Sequence, residues 1–139
     1  MRKIADALLG VLAQRLCRRL CVHCKTTYHP DEREFNALVE TYGEEWFGKH
    51  EMPTYSSSTE LQKKVGCEKC GETGYKSRIA IHELLVNSKA IRMGIKEGAP
   101  TDQLADTAIE EGMRTLRMDG VAKVLQGSVD LLEVSRVTV

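Results

Sequence analysis

Two cysteine hooks hold most of the chemistry this sequence offers: Cys21-Val22-His23-Cys24 and Cys67-Glu68-Lys69-Cys70. Each sets two thiols on either side of two residues. Four thiolates can close around one Zn²⁺ as a tetrahedron, with Zn–S distances of about 2.3 Å, and such a site is structural because no coordination position stays open. Cys21, Cys24, Cys67 and Cys70 are therefore the expected metal ligands, with structural zinc as the cofactor. Gly71 and Gly74 let the second hook turn tightly and aim backbone N–H groups at sulfur. Arg18, Arg19 and Lys25 flank the first hook, and nearby positive charge favours thiolate over thiol. Hooks of this kind usually lie roughly 15–20 residues apart. Here 42 residues separate Cys24 from Cys67, so the piece between them is expected to be a folded insertion. Cys17, one helical turn before Cys21, reads as a small core residue. His23 and His29 are near enough to substitute as ligands, but four cysteines fill the shell, so both are expected either at the surface or as supports beside the ligands.

The same residues leave two other chemistries open. One is a zinc-ribbon nucleic-acid binder, with Arg15, Arg18, Arg19 and Lys25 as a basic stripe. Aromatic content of 5% and a formal net charge of zero argue against it. The other is a redox protein using the hooks as dithiols, although nothing around them reads as a βαβ unit. Catalytic motifs are missing. The stretch Gly66 to Thr73 lacks the lysine of a P-loop. His82-Glu83 is half of a metalloprotease motif, but position 86 is Val86. This chain is therefore expected not to be an enzyme by itself.

The elements that must position the hooks follow from hydrophobic spacing. Ile4, Leu8, Val11, Leu12, Leu16 and Leu20 recur at helical intervals, predicting an amphipathic helix over 3–20. It has no N-cap, and so abrupt a start suggests a piece of something larger. Asp31 and Glu34 form a capping-box pattern opening a helix over about 31–42, and 60–65 reads as a helical turn. Residues 48–59 read as loop and 78–84 as a short strand. Four short helices then follow, with expected caps at Ser88, Thr101, Thr115 and Ser128 and stops at Gly98, Gly112 and Gly127. The fold class expected is mainly α: an N-terminal amphipathic helix (1–20), a tetracysteine module with little β structure (21–76) and a C-terminal bundle of short helices (77–139).

In 139 residues, 42% apolar and 29% charged, there is room for one domain or two small subdomains. Charge is blocky: +5 over 1–27, −6 over 28–62, +4 over 63–98 and −3 over 99–139. Alternating blocks suit charge-complementary packing between subdomains or subunits. No run of 18 apolar residues is present, so no direct membrane span is expected. Reduced thiols and no export signal point to the cytoplasm.

Several stretches together resemble one family. They are Ala7-Leu8-Leu9-Gly10-Val11-Leu12-Ala13-Gln14-Arg15-Leu16 with Arg18-Arg19-Leu20-Cys21, then Cys67-x-x-Cys70 with Gly74-Tyr75-Lys76-x-Arg78 and Ile81-His82-Glu83-Leu84-Leu85. Glu111-Gly112-Met113-x-Thr115-Leu116-x-x-Asp119-Gly120, Gly127-Ser128 and Glu133-Val134-x-Arg136-Val137 continue the match. In this order they resemble the C-terminal part of bacterial type II secretion and type IV pilus assembly ATPases. The resemblance implies that a nucleotide-binding core, with its ATP and Mg²⁺, lies before Met1, and that 1–20 ends that core. It implies a homo-hexamer in the bacterial cytoplasm, peripheral to the inner membrane. Partners implied are the rest of the ATPase, neighbouring subunits and an inner-membrane platform protein, with no nucleic acid. Where the family usually has Gly-Arg after Tyr-Lys, this chain has Ser77-Arg78, so that turn must tolerate a side chain. The segment between the hooks is also longer than the family's usual one.

Overall fold

In the computed structural model the backbone is described for residues 2–138, with side chains from Ile4 onward; Met1 and Val139, the outermost residues of the first and last expected segments, lie outside the described residues. The elements in order are α1 (Arg2–Ala7), β1 (Gly10–Leu20), β2 (Thr26–Tyr28), α2 (Glu32–Tyr42), α3 (Glu44–Lys49), β3 (Leu61–Lys63), β4 (Tyr75–Val86), α4 (Lys89–Lys96), α5 (Thr101–Glu110), α6 (Leu116–Leu125) and α7 (Leu131–Val137). Helix accounts for 44% and strand for 21% of the chain. The fold is therefore mixed α/β and not mainly α. Among the described residues the strands form two antiparallel two-stranded sheets, β1 with β4 and β2 with β3.

The main correction concerns the amphipathic helix expected over 3–20. Helix occupies only Arg2–Ala7, and Gly10–Leu20 is a strand. Leu8, Leu12, Leu16 and Leu20 lie four apart, close to one helical turn, but four is also twice the strand period. Leu12, Leu16 and Leu20 lie within β1, where their spacing fits the strand period as well. Gly10 marks the difference: a Cβ there would lie 2.8 Å from the Leu85 carbonyl oxygen. A neighbouring strand approaches too closely for any side chain. β4 likewise runs well beyond the 78–84 expected, and 60–65 contributes β3 where a helical turn was expected.

The chain divides into two compact units. The first comprises the residues up to Gln14 with His82–Leu116. Its N-terminal helix is held from far away in sequence: Asn87 Nδ2 donates to the carbonyls of Ala5 (2.7 Å) and Leu8 (2.6 Å), which satisfies the end of α1. Ser88 caps α4 as expected, accepting from Ile91 N at 3.2 Å. Thr101 does not cap α5, whose N-cap is Pro100. At the start of α6 the Leu116 amide donates to Glu83 Oε1 at 2.9 Å.

The second unit comprises Arg15–Ile81 with the residues from Arg117 on. Leu20, Leu38, Ile81, Val121, Val129 and Val134 are fully buried. Gly120 lets α6 and α7 meet, because a Cβ there would sit 2.5 Å from Val134 Cγ1. The piece between the hooks is folded. Asp31 caps α2 by accepting from Glu34 N at 2.8 Å, as its sequence predicts. α2 ends at Tyr42, and Gly43 at φ 107 opens α3. Phe35 packs edge-on against Phe47 with centroids 6.0 Å apart, and lies 5.5 Å from Tyr55. α7 is capped by Asp130, which accepts from Glu133 N at 3.0 Å; Ser128 is not its cap.

Candidate metal centre

The first hook follows the end of β1. The Cys21 N–H donates to the Gly74 carbonyl at 2.9 Å, tying the first hook to the chain beyond the second. The Cys21 carbonyl then accepts from Cys24 N (3.3 Å) and Lys25 N (2.9 Å), which curls the chain back. The second hook is a 3₁₀ turn over Glu68–Cys70 closed by Gly71 at φ 66. Glu72 N donates to the Cys67 carbonyl at 2.8 Å and completes that turn.

Four sulfurs come together. The Sγ atoms of Cys21, Cys24, Cys67 and Cys70 all lie within 4.8 Å of one another. The distances are 3.8 Å for Cys21–Cys67, 3.9 Å for Cys24–Cys70 and 3.7 Å for Cys67–Cys70. Sulfurs about 2.3 Å from a shared tetrahedral centre must stand about 3.8 Å apart. These spacings match that edge, so the residues present fit a tetrahedral thiophilic dication. They do not match S–S bonding, which needs about 2.05 Å, and all five cysteines are free thiols.

Backbone donors surround the sulfurs. Gly66 N points at Cys24 Sγ (3.4 Å), while Cys67 N and Gly74 N both point at Cys70 Sγ (3.2 Å each). These bonds set the thiol acidities. At Cys70 burial opposes ionisation, but the Cys67 and Gly74 N–H groups outweigh it and bring the pKa down to about 6. At Cys24 burial dominates despite the Gly66 N–H, and the pKa rises to about 11. Metal ligation needs thiolates, so a dication binding here would displace thiol protons, which couples affinity to pH.

Cys17 stays out of the cluster. It is buried, and burial raises its pKa. His23 and His29 are exposed, and His29 Nδ1 pairs with the Thr59 carbonyl at 2.9 Å. Sequence reasoning missed the support for the site. Gly66, at φ 111, aims its amide at sulfur where a Cβ would meet the Glu72 carbonyl oxygen at 2.9 Å. Lys25 Nζ donates to the Gly127 carbonyl at 2.9 Å. Arg18 stacks over the Tyr75 ring at 4.3 Å while holding Glu133.

A profile described as "Type II/IV secretion system protein" matches residues 1–136 of this chain. The chain belongs to the type II/IV secretion system protein family. It is 44% identical over 131 residues to a type IV pilus assembly ATPase, PilB, of Thermus thermophilus, covering 94% of this chain and 14% of that protein. It is 37% identical over 133 residues to the type IV pilus assembly ATPase TfpB of Acinetobacter baylyi, covering 96% and 21%. It is 38% identical over 135 residues to the type II secretion system ATPase E of Vibrio cholerae, covering 97% and 24%. The chain thus spans a quarter or less of these secretion-family relatives. Ser77 stands at φ 70, in the turn expected to tolerate a side chain, and Gly74 at φ 82 presents its amide to Cys70. No helix among the described residues is long and apolar enough to cross a membrane.

Proposed function

We propose that this chain is the zinc-binding C-terminal region of a hexameric ATPase that powers type II secretion or type IV pilus assembly. In this reading Cys21, Cys24, Cys67 and Cys70 hold one Zn²⁺, which joins the two ends of a 42-residue insertion. The observation that carries it is the set of S···S distances of 3.7, 3.8 and 3.9 Å with backbone N–H donors on two of the sulfurs, in a chain of this family. Four thiolates leave the ion no position for substrate or water. The metal's task is structural, and the chain contributes oligomer and partner contacts, not ATP chemistry. Nucleotide turnover belongs to the rest of the parent ATPase, at the cytoplasmic face of the inner membrane. The segments 1–20, 21–76 and 77–139 are then the end of the core, the metal module and the C-terminal subdomain.

Metal content and thiol titration test this reading. Protein purified without added zinc should carry one zinc per chain and yield five thiols in denaturant after chelation. Cys67→Ser should lose the metal, and Cys17→Ser should keep it. Zinc retained by Cys67→Ser, or ATP turnover by this chain above background, would refute it.

A further inference from the structure

One cleft in the second unit joins an apolar floor to acidic groups. It is a cavity of about 170 Å³ between the β2–β3 ribbon, α2 and the start of α7. Its floor is apolar, made by the buried side chains of Leu38, Leu61 and Val124. Glu34 and Asp130 also line it, together with Tyr28. The Tyr28 hydroxyl donates to Glu34 Oε2 at 3.1 Å, and the Tyr75 hydroxyl donates to Asp130 Oδ2 at 2.6 Å. Each carboxylate has further lone pairs to offer.

We propose that this cleft docks a basic side chain of a partner protein, with its aliphatic stem on Leu38 and Leu61 and its cationic head between Glu34 and Asp130. A lysine side chain has this division: an apolar stem that lies along hydrocarbon and a charged tip that seeks acceptors. A water occupies about 30 Å³ of liquid, so the cleft has room for such a side chain and no more. Charge complementarity selects the partner, because residues 28–62 carry −6. The local field agrees. Burial, then the carboxylates of Glu34, Asp130 and Asp31, push Tyr28 up to about 12. The proposal does not depend on which ion the cysteines hold.

The test is amide chemical-shift titration of the full chain with the probe peptide acetyl-Ala-Ala-Lys-Ala-Ala-amide, with zinc content measured on the same samples. Shifts should centre on Tyr28, Leu61 and Leu131. Replacing the probe's lysine by norleucine keeps the stem and removes the charge, and should abolish most of the shift. Glu34→Gln should weaken binding about three-fold, the scale of one exposed ion pair. Ala37→Leu, which fills the cleft from an exposed helix position, should remove binding while the rest of the spectrum is unchanged. Three results would each overturn the proposal: no shift at millimolar peptide, equal shifts with norleucine, or shifts spread over the outer face of α2 and indifferent to Ala37→Leu. Because zinc is measured alongside, loss of the metal reading and loss of this one are separately visible.

Discussion

Arg18 grips Glu133 across 115 positions of sequence, with its backbone N–H on Oε2 at 2.7 Å and its guanidinium on Oε1 at 2.7 Å. Arg136 completes the clamp, Nε to Oε1 at 2.9 Å and Nη2 to Oε2 at 3.0 Å. The carboxylate is fully buried while both arginines are about half exposed. β1 and α7 are thus joined through one buried anion.

Glu133→Gln keeps the shape and removes the charge. Charge-assisted hydrogen bonds are roughly twice as strong as neutral ones, and the variant should lose about 2 kcal/mol of stability. Denaturant unfolding of the chain and of the variant under the same conditions checks this. An unchanged midpoint would show that the clamp contributes nothing net.

Acid should act through the same residue. Hydrogen bonds from Arg136, and then from Arg18, overcome burial and hold Glu133 down at about 2, below its ordinary 4.5. A carboxylate depressed on folding contributes its stability above the unfolded pKa, and that contribution is lost as pH falls through the folded one. Stability should therefore decline between about pH 4.5 and pH 2, and Glu133→Gln should flatten that decline. Unfolding free energy measured against pH in both proteins decides it.

Two glycines of the second hook should respond differently to alanine. Gly74 has φ 82, and a Cβ there would lie 2.6 Å from Lys64 Cβ. Gly71 has φ 66 with nothing near. Gly71→Ala should cost about 1 kcal/mol, the backbone term alone. Gly74→Ala should cost about 2–3 kcal/mol and also weaken metal retention, because the Gly74 amide points at Cys70 Sγ. Competition with a chromophoric chelator ranks the two, and equal retention would contradict the amide's role.

Ser77 should gain from the reverse change. It stands at φ 70, left-handed backbone that costs an L-residue about 1–2 kcal/mol. Ser77→Gly removes that strain, though glycine's freer unfolded chain takes back part of the gain. A net rise of up to about 1 kcal/mol is expected, read as a higher denaturation midpoint.

Asn87 is the counterpart in the first unit. Its amide is the shared donor for the Ala5 and Leu8 carbonyls. Asn87→Ala should cost about 1–3 kcal/mol by leaving them unpaired. Hydrogen exchange should rise selectively at the α1 amides. Exchange that stays flat there would mean α1 is held by other contacts.

Much of the site and part of the fold were legible along the chain. The hooks were visible because a Cys-x-x-Cys pair is a local pattern, and the caps at Asp31 and Ser88 because capping reaches only three residues. Asp130 with Glu133 carries the same capping signature and was overlooked in favour of Ser128. The misread strand Gly10–Leu20 has a different cause. Leucines four apart satisfy both periodicities, and the choice between them rests on β4, whose residues begin 55 positions after β1 ends.

The sequence by itself determined the two pairs of candidate thiols and the glycines that let the second hook turn, because each is written in neighbouring residues. Only the tertiary structure decided that sulfurs 46 positions apart stand at 3.8 and 3.9 Å, that a buried glutamate is shared by two arginines, and that the N-terminal leucines lie on a strand. Those outcomes depend on partners that meet only when the chain closes on itself, and no local period or spacing encodes which partner will be there.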